Sequence, residues 1–239
     1  MEYLREVIDS LPIGLNALTA LMGILVALPI AWRFRKKLNT EKLWKVSFVC
    51  LIFLICYYYS TVLFFKFEAL FDGMIEENGT SLFGVFYLCV PVLILILHVM
   101  KISVKDGLDV FTLCAVPGFF LARFRCLLAD CCGGRAIFAT QWRWPTRESE
   151  LIFYAVIFVI LWRMAKKNEI PGQLFPLFAM CYGVFRFINE WFRTTNHIST
   201  SLHIAHLWAL LCAIIGASIY FELKAKRSQA QRTGVKHRR

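Results

Sequence analysis

Residues 43–65 read LWKVSFVCLIFLICYYYSTVLFF and residues 82–100 read LFGVFYLCVPVLILILHVM; Lys45 is the only Asp, Glu, Lys or Arg in either run. A run of about 17 to 25 apolar residues can cross a bilayer as a helix, because a helix satisfies its own backbone groups where no water can. Outward from these two, further stretches lie at 12–32, 108–128, 149–164, 171–192 and 204–222. The stretch at 149–164 is short, and those at 108–128 and 171–192 carry charges, which are costly in lipid and mark function or internal pairing. The 239 residues are 59% hydrophobic and 18% charged, against about 25% charged in a soluble domain. A one- or two-domain globule of this length has too few interior positions for them. Disorder, a collagen-like chain and a secreted disulfide mini-domain are excluded. The pattern predicts an all-α, polytopic membrane protein with seven transmembrane helices, residues 1–239 forming a single membrane-embedded domain.

The net charge of +11 orients this arrangement. Of 27 Lys and Arg residues, 18 fall at 33–45, 101–105, 163–167 and from Lys224 onward, the alternate segments that share one side of seven spans. Excess Lys and Arg stay in the cytoplasm, so the N-terminus is expected outside and the C-terminus inside. Residues 224–239 then form a basic cytoplasmic tail, which anionic headgroups account for without any nucleic acid. Glu2, Glu6 and Asp9 precede the first apolar run and the basic cluster follows it. That polarity is the reverse of a signal peptide, so this run is expected to stay as a span.

Nine basic residues remain, and seven of them fall in two outer stretches: Arg123, Arg125, Arg135, Arg143 and Arg147, then Arg186 and Arg193. All seven are arginine, whose planar fork binds phosphate through two parallel hydrogen bonds and keeps its charge when desolvated. In the second stretch Tyr182, Arg186, Glu190 and Arg193 recur at i, i+4, i+8 and i+11, one polar stripe on an aromatic helix. Glu190 can orient both guanidinium groups and leave net positive charge for an anion; the same spacing also suits a self-neutralising salt-bridge ladder. In the first stretch Arg123 and Arg125 precede Gly133, Gly134 and Arg135, where backbone N–H groups could approach an anion closely. For Arg125 and Arg135, interfacial snorkelling explains the charge as well. Six of the nine cysteines lie within spans as small apolar groups. Cys126, Cys131 and Cys132 lie at or beyond the outer end of the fourth span, where a disulfide from Cys126 is open; their spacing does not make a zinc site, and no metal is expected.

These segments resemble the bacterial phosphatidylglycerol:prolipoprotein diacylglyceryl transferase family, in a cysteine-rich variant. Residues 182–193 are similar to its Y-G-x-x-R-F-x-x-E-F-x-R signature, agreeing at Tyr182, Gly183, Arg186, Phe187, Glu190 and Arg193, with Trp191 in place of Phe. Residues 123–135 fit its R-x-G-N-F-x-N-G-E-x-x-G-R block at Arg123, Gly134 and Arg135. Residues 143–150 resemble R-H-P-S/T-Q-L-Y-E at Arg143, Pro145, Thr146 and Glu150, and residues 79–84 stand where the family has G-x-S-x-H-G. Departures are equally clear. Phe83 replaces a functional histidine, Ile13 a first-span tyrosine, Cys126 an asparagine and Cys131 a glutamate, while Arg125 and Asp130 stand where the cysteine-rich relatives have glycines.

The resemblance implies a seven-helix enzyme of the bacterial inner membrane that moves a diacylglyceryl group from phosphatidylglycerol to the lipobox cysteine of a prolipoprotein, with no cofactor. Its partners would be an anionic phospholipid donor and a membrane-anchored acceptor protein, or a small acceptor. It implies catalytic roles for Arg123, Arg186 and Glu190, and substrate-binding roles for Tyr182, Arg193, Gly134, Arg135, Arg143 and Cys126. His206 stands where the family commonly has Gln and could carry the proton that Phe83 cannot. Two rival readings stay open: a phospholipid-dependent transferase with another acceptor, and a lipid-binding or assembly protein that has lost turnover.

Overall fold

The computed structural model describes residues 15–39, 42–72, 81–128, 134, 143–167, 170–193 and 204–236. Among them the chain is helical. Helix α1 is Leu15–Arg33, followed by a 3-10 turn at Arg35–Leu38; α2 is Leu43–Asp72. A π-helical turn at Val85–Cys89 leads into α3, Val90–Val99, and α4 is Val104–Leu128. Helices α5, α6 and α7 are Thr146–Lys167, Leu174–Glu190 and Ile204–Lys236. Each of the seven apolar stretches is thus helical, with shifted bounds. Three helical segments, Leu43–Leu70, Val104–Leu128 and Ile204–Ala230, are long and apolar enough to cross a membrane. The apolar lengths Leu21–Arg33 and Val85–Val99 are shorter than the usual span, and α6 has 17 residues. Helix α7 continues without a break from its apolar part into the basic residues after Lys224.

The widened turn before α3 has a local cause. Pro91 has no N–H to give the Tyr87 carbonyl, and its ring crowds that carbonyl, so five-residue bonding relieves the turn. Gly84, at its start, lies against the Ser60 backbone of α2, where a Cβ would collide with the Ser60 carbonyl. Long apolar side chains such as Leu51, Ile55 and Leu63 of α2 and Leu207, Ile214 and Ile219 of α7 are exposed. Such faces suit a hydrocarbon solvent rather than water.

Helices α6 and α7 make the most extensive pairing and run antiparallel. A Cβ on Gly183 would stand 2.5 Å from Ala213 N and 2.6 Å from Ala209 O; one on Gly216 would stand 2.5 Å from Met180 N and 2.8 Å from Pro176 O. Close approach through small residues is how helices associate when lipid removes the hydrophobic drive between them. Gly183 therefore belongs to the signature-like stretch for a packing reason.

Polar contacts collect at the two ends. At one, Lys37 Nζ lies 3.7 Å from Asp106 and 3.8 Å from the buried Asp109. Asp109 also accepts the N–H groups of Gly172 at 2.8 Å and Leu174 at 2.9 Å. Gly172 has φ +84°, a left-handed conformation that glycine adopts freely. The α1–α2, α3–α4 and α5–α6 junctions are tied together there. At the other end, Gly134 pairs its backbone with Arg193, and Trp144 stacks on Phe192 with centroids 4.1 Å apart.

Candidate active site

Three helices deliver charge to one buried place at this second end. Helix α4 brings Arg123 in its last turns, α5 brings Glu150 in its second turn, and α6 brings Arg186, Asn189 and Glu190 near its end. Glu150 sits at the centre: its Oε2 pairs with Arg123 Nε, and its Oε1 accepts from Arg186 Nη1 at 3.1 Å and from Asn189 Nδ2 at 3.2 Å. Arg186 Nη2 reaches Glu190 Oε2 at 2.6 Å, and Arg193 Nη1 lies 3.7 Å from the same oxygen. Ser149 Oγ donates to Asn189 Oδ1 at 3.2 Å. Glu150, Arg186, Asn189 and Glu190 are all buried, whereas Arg123 and Arg193 keep about a fifth of their side chains accessible, 21% and 18%.

Buried charge is tolerable when an opposite charge lies beside it, and every ionic group of this network has one. Among the described residues three guanidinium groups face two carboxylates, so one positive charge is left over. Arg123 uses Nε for its pair with Glu150; among the described residues Arg186 Nε has no hydrogen-bond partner although it is buried. The stripe read from the sequence is therefore a ladder of ion pairs that keeps one positive charge unmatched. Arg186 and Glu190 are pinned within it, and the surplus charge faces outward through Arg123 and Arg193.

Arg123 also lines a cleft of about 50 Å³ with Arg125, Cys126, Tyr57, Thr61 and Tyr154. The cleft shares Tyr57, Thr61, Phe119, Ala122 and Arg125 with a cavity of about 740 Å³ among α1, α2 and α4, whose walls are mostly apolar. An ionic network thus adjoins a chamber suited to hydrocarbon.

The other residues singled out from the sequence are dispersed. Tyr182 is fully buried and stacked on Phe86, centroids 5.3 Å apart, and on Phe178 and Tyr154. It is a core residue. Phe83, buried beside it at 6.0 Å, shows that the vicinity of the family's histidine is an aromatic cluster in this chain. Gly134 owes its lack of a side chain to Trp144, whose carbonyl a Cβ would strike. Arg143 is exposed. Cys126 is buried near the end of α4, in the wall of the Arg123 cleft. His206 is buried on α7, its ring met edge-on by Phe187 at 5.3 Å and Trp191 at 4.9 Å. Arg135, Cys131, Cys132 and Ile13 lie outside the described residues. Glu150, Asn189 and Ser149 carry the network without having been assigned roles from the sequence. A signal existed for Glu150 alone, as the last matched position of the 143–150 segment.

The profile of the prolipoprotein diacylglyceryl transferase family matches residues 4–222. A phosphatidylglycerol–prolipoprotein diacylglyceryl transferase of Bordetella avium (strain 197N) is 31% identical over 80 residues, covering 32% of this chain and 30% of that relative. The match thus spans less than a third of the relative's length. With the family profile running over nearly the whole sequence, the chain belongs to the prolipoprotein diacylglyceryl transferase family.

Proposed function

We propose that the protein transfers a diacylglyceryl group from phosphatidylglycerol to the cysteine thiol of a lipobox-bearing prolipoprotein. The observation that carries this reading is the join between a net-positive buried arginine network and a large apolar cavity. In the reaction the acceptor sulfur forms a bond to the glycerol carbon of the diacylglyceryl unit, and that carbon's bond to the phosphate oxygen breaks. Glycerol-1-phosphate leaves with the electron pair, and the thiol proton is released. Arg123, supported by Arg186 and Arg193, would stabilise the charge developing on the departing phosphate in a low-dielectric site. Glu150 and Glu190 are positioning residues in this scheme, since guanidinium groups already engage both oxygens of Glu150 and Oε2 of Glu190. The residual positive charge also favours a thiolate over a thiol of ordinary pKa about 8.5, which lessens the need for the histidine that Phe83 replaces.

The same reading sets the protein in the bacterial inner membrane as one domain of seven spans, N-terminus outside, residues 224–239 in the cytoplasm and the arginine network at the outer face. Tyr182 would contribute by walling the network, Gly134 by joining the outer loop to Arg193, and Cys126 and His206 by shaping the surroundings of Arg123 and Glu190. Arg135 and Arg143 would add positive charge at the entrance. Incubation of purified protein with phosphatidylglycerol and a lipobox peptide, followed by mass spectrometry, tests the proposal. The diacylglyceryl mass increment is expected with the native chain and is expected to vanish in Arg123→Ala and Arg186→Ala. Equal product from all three proteins would overturn it; lipid binding without any product would favour the non-catalytic reading.

A further inference from the structure

The cleft beside Arg123 and the larger cavity meet along one seam, and Tyr57, Thr61, Phe119, Ala122 and Arg125 line both spaces. Of these five, only Tyr57, Thr61 and Arg125 carry a side-chain hydrogen-bond donor. Thr61 Oγ1 spends its hydrogen on the Tyr58 carbonyl at 2.9 Å, so the seam's donors are Tyr57 and Arg125.

Helix geometry picks Tyr57 out of a run of three. Tyr57, Tyr58 and Tyr59 diverge by about 100° each around α2. Tyr58 and Tyr59 are 57% and 68% exposed, and neither lines the cleft. Tyr57 is turned inward, half-buried, its ring against Phe119 of α4 with centroids 5.6 Å apart. Phe119 in turn meets Tyr154 of α5 at 5.9 Å. Packing across three helices thus fixes the Tyr57 ring at the seam.

The seam has a meaning in the proposed reaction, on which this inference rests. With the diacylglyceryl unit in the apolar cavity and the phosphate beside Arg123, the carbon–oxygen bond that breaks lies where the two spaces join. As it breaks, the phosphate passes from one negative charge toward the two of a monoester above its second pKa of about 6. Among the described residues no Asp or Glu lines the cleft, and its cations are Arg123 and Arg125. Guanidinium groups only donate, so the acceptor that suits them and the Tyr57 hydroxyl together is an anion. We infer that Tyr57 is a catalytic residue of the transfer: its hydroxyl donates a hydrogen bond to the phosphate oxygen released from the glycerol carbon. That bond strengthens as charge gathers on the oxygen, so it lowers the barrier rather than merely holding the lipid. The tyrosine keeps its proton throughout, and the thiol proton leaves separately.

Tyr57→Phe keeps the ring on Phe119 and deletes only the hydroxyl. With phosphatidylglycerol and the lipobox peptide, purified full-length protein carrying this change is expected to lose about a hundredfold in kcat, the usual scale for one such donor. KM for both substrates should stay within about twofold and the thermal midpoint should not move. Tyr220→Phe, on α7 outside both spaces, should change none of these. A second readout needs no turnover. Phosphorus NMR titration at about pH 8 measures binding of glycerol-1-phosphate, a dianion with the developed charge, and of dimethyl phosphate, a monoanion. Tyr57→Phe is expected to weaken the dianion about tenfold, as loss of one hydrogen bond to a charged group predicts, and the monoanion far less. A raised KM at unchanged kcat, or equal affinity of both proteins for the dianion, overturns the inference. If the native chain forms no product while Tyr57→Phe weakens dianion binding, the Tyr57 contact stands and the transfer reading falls. If product forms at equal kcat in both proteins, the transfer reading stands and Tyr57 has no part in it.

Discussion

Glu150 holds guanidinium groups from two different helices, and Arg186 is shared between two carboxylates. Glu150→Gln keeps an acceptor for Arg186 and Asn189 but removes the charge that balances Arg123. Removing one partner of a buried pair typically costs about 3 to 5 kcal/mol, because the other is left desolvated and uncompensated. We expect Glu150→Gln to lower the thermal midpoint in detergent clearly and to cut transfer at least tenfold, while Glu148→Gln, on a half-buried neighbour outside the network, leaves both nearly unchanged. Equal midpoints and equal rates for the two variants would remove Glu150 from the centre of the site. Such a role is hard to read from sequence. The spacing of Arg186, Glu190 and Arg193 announces itself, since one helix surface fixes which of them can touch. Glu150 reaches Arg186 across 36 residues, and nothing in local periodicity encodes that meeting.

The elements were more legible than their contacts. Each apolar run is a helix because hydrocarbon length and backbone satisfaction leave the chain few alternatives. The irregular pieces escaped: the π-helical turn at Val85–Cys89 depends on how Pro91 and Gly84 meet α2, and the start of α5 at Thr146 depends on turn bonds such as Ser149 N–H to the Pro145 carbonyl. Glycines show the same limit, because sequence records them all alike while the structure separates contact from space. Gly183→Val would drive a branched side chain into the Ala209 and Ala213 backbone and part α6 from α7. Overpacking of this kind costs about 1 to 3 kcal/mol, and here it also displaces Arg186 and Glu190, one and two turns further on. Gly118→Ala should instead raise stability by about 0.4 to 1 kcal/mol, since the helix gains propensity and the methyl meets open space. Thermal unfolding of both variants in the same detergent checks the opposite signs; a shift of the same sign would mean that the two glycines share one function.

For the whole molecule the decisive question is how its two polar ends lie across the bilayer. The end gathered by Lys37, Asp109 and Gly172 joins the α1–α2, α3–α4 and α5–α6 junctions, and the antiparallel α7 runs toward it with its basic residues. This brings together the four segments in which most of the Lys and Arg residues fall, so the packing and the charge distribution point to one common side. In the proposed orientation the arginines of the opposite end run against the usual bias, but three of them are tied to carboxylates, which reduces the charge that translocation would carry outward. We therefore expect alkaline phosphatase inserted within 135–142 to be active and the same enzyme fused after Arg239 to be inactive, with a fluorescent protein at that terminus giving signal. The reversed pattern would put the arginine network in the cytoplasm, away from a translocated lipobox thiol. In that case the acceptor, rather than the arginine-rich lipid site, would be the part of the proposed reaction to give up.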